Sequence, residues 1–156
     1  MSSSTLRRLI YASRWRDPEP ASVEEMLQAI IGRSIQNNRL VDVTGLLLYR
    51  RGWFLQALEG RSDCVRQTFE RIRLDPRHTA VHVISDEAAE RRAFADWNMV
   101  ATPLEALTPE GMDGLDPDDV TPPARLAPAT ALRLMQAAGA AELRREREAL
   151  LGGRAA

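Results

Sequence analysis

Apolar and polar positions change period several times along this chain. Residues 5–12 (TLRRLIYA) form a short apolar run, read as a strand. A polar loop follows from Arg14 to Pro20, where Asp17-Pro18 and Glu19-Pro20 break any helix. From Ser22 the period becomes helical: Val23, Met26, Leu27, Ile30, Ile31 and Ile35 make one stripe. Ser22 and Glu25 have capping-box spacing, and the helix is expected to finish near Asn37-Asn38. Two apolar strands follow, VTGLLLY at 43–49 and WFLQAL at 53–58, around Arg50-Arg51-Gly52, with Gly where a hairpin needs positive φ. A second helix is expected from about Ser62 to Leu74, with Val65, Phe69 and Ile72 inward and Asp75-Pro76 as its stop.

Thr79 to Ser85 reads as a fourth strand, and Trp97 to Ala101 as a shorter fifth after a charged linker. Residues 102–128 are rich in Pro, Gly and Asp and read as an irregular connector, and Thr130 to Leu151 as a helix. The order β-α-β-β-α-β, plus a strand and a helical extension, predicts an α+β, ferredoxin-like sheet with two helices on one face. The expected division is a domain over 1–101, a connector over 102–128 and a C-terminal helix and tail over 129–156. That last helix, with Leu132, Leu134, Met135, Leu143, Leu150 and Leu151, is expected to pack on the sheet's otherwise bare face, with a free partner helix as the alternative.

Composition narrows the chemistry. All 21 basic residues are Arg, so no Lys is present to form a Schiff base or serve a phosphate loop. Two His (His78, His82) and one Cys (Cys64) cannot build a four-ligand Cys/His zinc site within one chain, and no metal is expected. A single Cys fits a reducing compartment, no apolar stretch approaches the roughly 20 residues of a membrane span, and the N-terminus lacks a secretory signal. The expectation is a cytoplasmic protein. Residues 1–16 carry four Arg and no acid, whereas 103–120 carry six acids and no base. With a net charge of −1 and no nucleic-acid motif, these runs read as solvated faces and a surface loop.

Gln56 is the residue out of place, an amide inside an apolar strand. A buried amide without a partner costs about 1–3 kcal/mol, so something polar must meet it. The ferredoxin-like order sets the first and third strands side by side, and alternation allows Tyr11 and Gln56 to share the helix-covered face. An internal hydrogen bond between them is one reading. Asn37-Asn38, at the end of the helix over that face, admits another, although Asn also suits helix C-termini. Arg71 and Asp75, four apart, read by default as a surface pair. A polar heteroaromatic ligand between the helices would satisfy all of these groups, because amides supply both donors and acceptors.

These residues resemble the BLUF family, the blue-light sensors that use flavin. The resemblance rests on LIYAS at 9–13, QNN at 36–38, VTGLLLY at 43–49, FLQALEG at 54–60, RIRLDPRH at 71–78 and WNM at 97–99, and covers about 5–101. It implies a ferredoxin-like domain with a flavin ring between its two helices: FAD, with FMN or riboflavin as possible substitutes. Tyr11 then matches the electron-donating Tyr and Gln56 the amide between that phenol and the ring. Asn38 matches the Asn at the ring's polar edge, Asn37 a variable ring-flanking position, and Ile30 and Ser34 the ring-facing side of the first helix. Arg71 and Asp75 match positions near the flavin's tail and ring, and Trp97 and Met99 the residues that couple the pocket to the C-terminal helices. The implied function is a photoreceptor rather than an enzyme: electron and proton transfer from Tyr11 and rearrangement of Gln56 give a red-shifted signalling state. About 50 residues follow the sensor, too few for a typical effector domain, so the signal is expected to pass to a separate, unknown protein, with a homodimer also implied. The rival readings are a flavin-dependent oxidoreductase and a ligand-free interaction module on the same fold.

Overall fold

The computed structural model describes residues 5–16, 43–76, 78–95, 97, 100–112 and 114–155. The helix expected over 22–38 lies outside them. Five strands form one sheet: β1 (Leu6–Trp15), β2 (Thr44–Arg50), β3 (Trp53–Arg61), β4 (His78–Ala88) and β5 (Val100–Pro103), in the order β4-β1-β3-β2-β5. The β1–β3, β1–β4 and β2–β3 pairs are antiparallel, and β5 joins β2 in parallel. The first four strands have the ferredoxin-like order. Arg51 (φ 49°) and Gly52 (φ 82°) form the two-residue turn between β2 and β3, both in the left-handed region that matches the twist of paired strands.

Strand alternation divides the sheet into two chemically different faces. Leu9, Tyr11, Leu47, Phe54 and Leu58 pack with Val43 against Val65 and Phe69 of α1 (Ser62–Arg73). Val65, Phe69 and the partly buried Ile72 are the three residues whose helical spacing predicts an inward stripe. Leu74 N–H and Asp75 N–H donate back to Glu70 O and Ile72 O, closing the helix just before Pro76.

Ile10, Ala12, Leu46, Leu48, Leu55 and Ala57 point to the opposite face and are covered by α2 (Pro128–Ala155). Ala131, Leu134, Met135 and Ala138 seat that helix on the sheet at the i, i+3, i+4, i+7 spacing of one face. The C-terminal helix therefore covers the side of the sheet away from α1. From Leu143 to Gly152 every residue of α2 is exposed. Among the described residues, no helix is long and apolar enough to cross a membrane.

Three expectations need correction. The fifth strand begins at Val100, so Trp97 precedes it; its indole is buried in the core beneath α2. Apolar bulk in WNMV imitates a strand, but at Trp97 it plugs the core from a loop. Residues 102–128 also do more than connect: Leu104, Leu107, Met112 and Val120 are buried in the same core. The acidic run is not simply solvated either. Asp118 meets Arg50 at 2.8 Å and Arg51 at 3.4 Å beside the hairpin.

Candidate functional site

Tyr11 and Gln56 are register partners on the two central strands, and Leu47 flanks Gln56 from the other side. Directly opposed side chains of an antiparallel pair lie about 4.5–5.5 Å apart at Cβ, within hydrogen-bond reach for a long polar pair. The Tyr11 hydroxyl donates to Gln56 Oε1, and both residues are buried. The pairing with β4 shifts register between Ile10 and Tyr11, a bulge that re-aims side chains locally. The Phe69 ring lies 5.3 Å from the Tyr11 ring, tilted by 53°, so α1 walls the phenol on one side.

This environment fixes the phenol's protonation. Burial pushes the Tyr11 pKa well above its ordinary value, because a phenolate would lose its water, and the Asp75 carboxylate adds to the effect by charge repulsion. Tyr11 is thus a neutral donor with a hydrogen-bonded amide as its acceptor. Asp75, half-buried just beyond α1, acts on the site electrostatically, whereas Arg71 is exposed.

Of the other residues picked out from the sequence, Ile30, Ser34, Asn37, Asn38 and Met99 lie outside the described residues. Trp97 lies on the opposite face from Tyr11 and Gln56. Its carbonyl accepts from Gly45 N–H at 2.9 Å, and its ring closes on α2, where a Cβ added to Gly139 would stand 2.9 Å from Trp97 Cη2.

The sequence reading missed Glu59. It is fully buried and accepts from Arg8 Nε (2.7 Å), Ala93 N–H (2.9 Å) and Phe94 N–H (2.6 Å). The signal was there in LQALEG: a charged residue at the end of an apolar strand, anomalous for the same reason as Gln56. Among the described residues no group of three or more His, Cys, Asp or Glu could hold a metal ion.

Over residues 6–100 the chain matches the family model for BLUF, sensors of blue-light using FAD. It is 40% identical over 89 residues to the blue light- and temperature-regulated antirepressor BluF of Escherichia coli (strain K12), covering 56% of this chain and 21% of that protein. It is 31% identical over 109 residues to the photoactivated adenylate cyclase subunit beta of Euglena longa, covering 68% and 12% respectively. The chain therefore spans only a small part of these curated relatives. Among solved structures, the dark-state structure of the BLUF protein BlrB superposes with a TM-score of 0.68 at 27% identity, covering 86% of this chain and 96% of that one.

Proposed function

This chain belongs to the BLUF family, sensors of blue light using FAD, and from that premise we propose that Tyr11 and Gln56 are its photoactive pair. The carrying observation is their buried hydrogen bond at the centre of the sheet. The described residues fit one wall of a flavin site: a donor and an amide on a face otherwise lined by Leu47, Phe54, Val65 and Phe69. Ile30, Ser34, Asn37 and Asn38 would supply the other wall, and Arg71 and Asp75 would lie toward the tail and ring; the QNN and RIRLDPRH motifs support this. Bound flavin supplies blue-light absorption and an electron acceptor.

The chain's own residues do the rest. Tyr11 keeps its proton in the dark, because its raised pKa forbids simple ionisation. On losing an electron the phenol becomes strongly acidic, and its proton moves along the existing bond to Gln56 Oε1. When electron and proton return, Tyr11 is restored and Gln56 is left rotated or tautomerised, with different donors and acceptors toward its neighbours. In a low-dielectric pocket each such bond weighs more than in water. The cycle consumes no substrate, so the chain acts as a switch and not as an enzyme. We assign the cytoplasm as its setting, consistent with a chain whose single cysteine allows no internal disulfide. The response passes to a separate protein, and the chain works as a homodimer; exposed Leu143, Leu150 and Leu151 on α2 offer apolar surface for such contacts.

Absorption spectra of the FAD-loaded chain before and after blue light test this reading. A small red shift that decays in the dark is expected. Tyr11→Phe should bind flavin and stay yellow but show no shift; a normal photocycle in that variant overturns the assignment.

A further inference from the structure

Gln56 and Glu59 stand three residues apart on β3, and alternation sends them to opposite faces of the sheet. Glu59 is the centre of a polar knot on the α2 side. Its carboxylate takes Arg8 Nε and the N–H groups of Ala93 and Phe94, at 2.6–2.9 Å. Arg8 also donates to the carbonyl of Arg91 at 3.1 Å. Arg92 donates to Thr44 Oγ1 at 2.9 Å and to the Glu59 carbonyl at 3.4 Å. Residues 91–94 are thus tied to the ends of β1, β2 and β3 together. Phe94 is fully buried, Trp97 N–H donates to its carbonyl at 3.4 Å, and Gly45 N–H holds the Trp97 carbonyl. The Trp97 ring then meets α2 at Gly139 without room for a methyl group. A carboxylate buried this completely is tolerated only with such a set of donors.

We propose that Glu59 is a positioning residue for output: it ties residues 91–94, and through Phe94 also Trp97, to the end of β3, so that rearrangement around Gln56 reaches α2 through the seating of Trp97. The inference rests on the photosensor reading. It differs from a merely structural role in what it predicts for the two faces. Removing the Glu59 charge should leave the photochemistry of Tyr11 and Gln56 intact and disconnect it from α2.

The test is hydrogen–deuterium exchange by mass spectrometry on the FAD-loaded full chain, dark and illuminated, alongside absorption spectra. In Glu59→Gln the red shift should keep its amplitude. Dark exchange over residues 91–97 should rise at least tenfold, and the light-induced change over 134–142 should fall at least fivefold. A light response over 134–142 of unsubstituted size, with the shift intact, overturns the proposal. Where Glu59→Gln fails to hold flavin, Arg8→Gln decides, since it loosens the knot while leaving both backbone bonds to Glu59. It should accelerate exchange over 91–97 and reduce the 134–142 response severalfold, and unchanged exchange there overturns the proposal. Failure of the photosensor reading looks different: the unsubstituted chain shows no red shift, while dark exchange over 91–97 still reports whether Glu59 positions that segment.

Discussion

The two faces of this sheet bury polar groups in contrasting ways. On the α1 side, Tyr11 and Gln56 share a neutral hydrogen bond among apolar walls. On the α2 side, Glu59 carries a full charge and three donors drawn from β1 and the segment after β4. A neutral hydrogen bond contributes only about 0.5–1.5 kcal/mol net and can be exchanged for another at small cost. A buried charged knot loses about 3–5 kcal/mol when one partner is removed, so it keeps a single arrangement. The difference fits the proposed division of labour: the pair proposed to rearrange is neutral and sparsely bonded, and the knot proposed to hold its shape is charged and densely bonded.

The largest test of that division is a core truncation on the α2 side alone. Leu134 is 1% exposed and packs in the core that includes Leu46, Leu48 and Trp97. Leu134→Ala should destabilise the chain by about 2–5 kcal/mol, from lost apolar burial plus the cavity left behind. Denaturant unfolding measures the loss. Its light-induced red shift should nevertheless match that of the unsubstituted chain, because no atom on the Tyr11 face is removed. A lost or diminished shift in the folded variant would break the comparison, showing that the two faces act as one.

Much of this contrast was legible in the sequence, and the limits are instructive. The Tyr11–Gln56 pair could be foreseen because it needs only the ferredoxin-like strand order and the parity of two positions. Both are short-range patterns repeated along the chain. Of the Glu59 knot only the misplaced charge in LQALEG is legible; its partners are not, since two of its donors are backbone N–H groups of Ala93 and Phe94, and backbone donors carry no sequence signature. The Pro- and Asp-rich stretch 102–128 reads as a connector from local composition. Leu104, Leu107, Met112 and Val120 become core only because α2 returns over them, a tertiary event. Likewise β5 pairs in parallel with β2, from Leu46 with Val100 to Tyr49 with Pro103, and a parallel neighbour leaves no turn signal between the two strands. Ile30, Ser34, Asn37 and Asn38, placed at the ring by the family resemblance, lie outside the described residues.

An intermediate effect comes from pH and touches the other face. The Tyr11 phenol has a folded pKa above its unfolded value, which is near 10. Below pH 10 the phenol is neutral in both states and contributes no pH dependence. Above it the unfolded chain ionises and the folded chain does not, so stability falls as pH rises, by about 1.4 kcal/mol per unit until the folded pKa is reached. Ultraviolet titration of the folded protein, compared with its Tyr11→Phe variant, should show the Tyr11 phenol still un-ionised at pH 11. Tyr11→Phe should remove this component of the alkaline loss. Ionisation of Tyr11 near pH 10 in folded protein would show that the phenol is open to water, and the neutral-donor account of the pair would fail.

The smallest effect separates stability from the division between faces. Arg51 holds φ 49° in the two-residue hairpin turn, a left-handed conformation that costs a residue with a Cβ about 1–2 kcal/mol. Asn tolerates it far better, and Asn-Gly is the preferred pair for this turn. Arg51 gives little in return, since its 3.4 Å contact to Asp118 joins two side chains about 70% exposed, where an ion pair is mostly screened. Arg51→Asn should therefore raise stability by about 0.5–1 kcal/mol, read as a higher denaturant midpoint at unchanged slope. The turn joins β2 to β3 at the end of the sheet away from Glu59, and its residues pack in neither core cluster. Both the red shift and the light response of α2 should then keep their original size. A stabilised variant with a weakened response would mean that output depends on the overall looseness of the sheet. In that case the charged knot would not be the element that sets it.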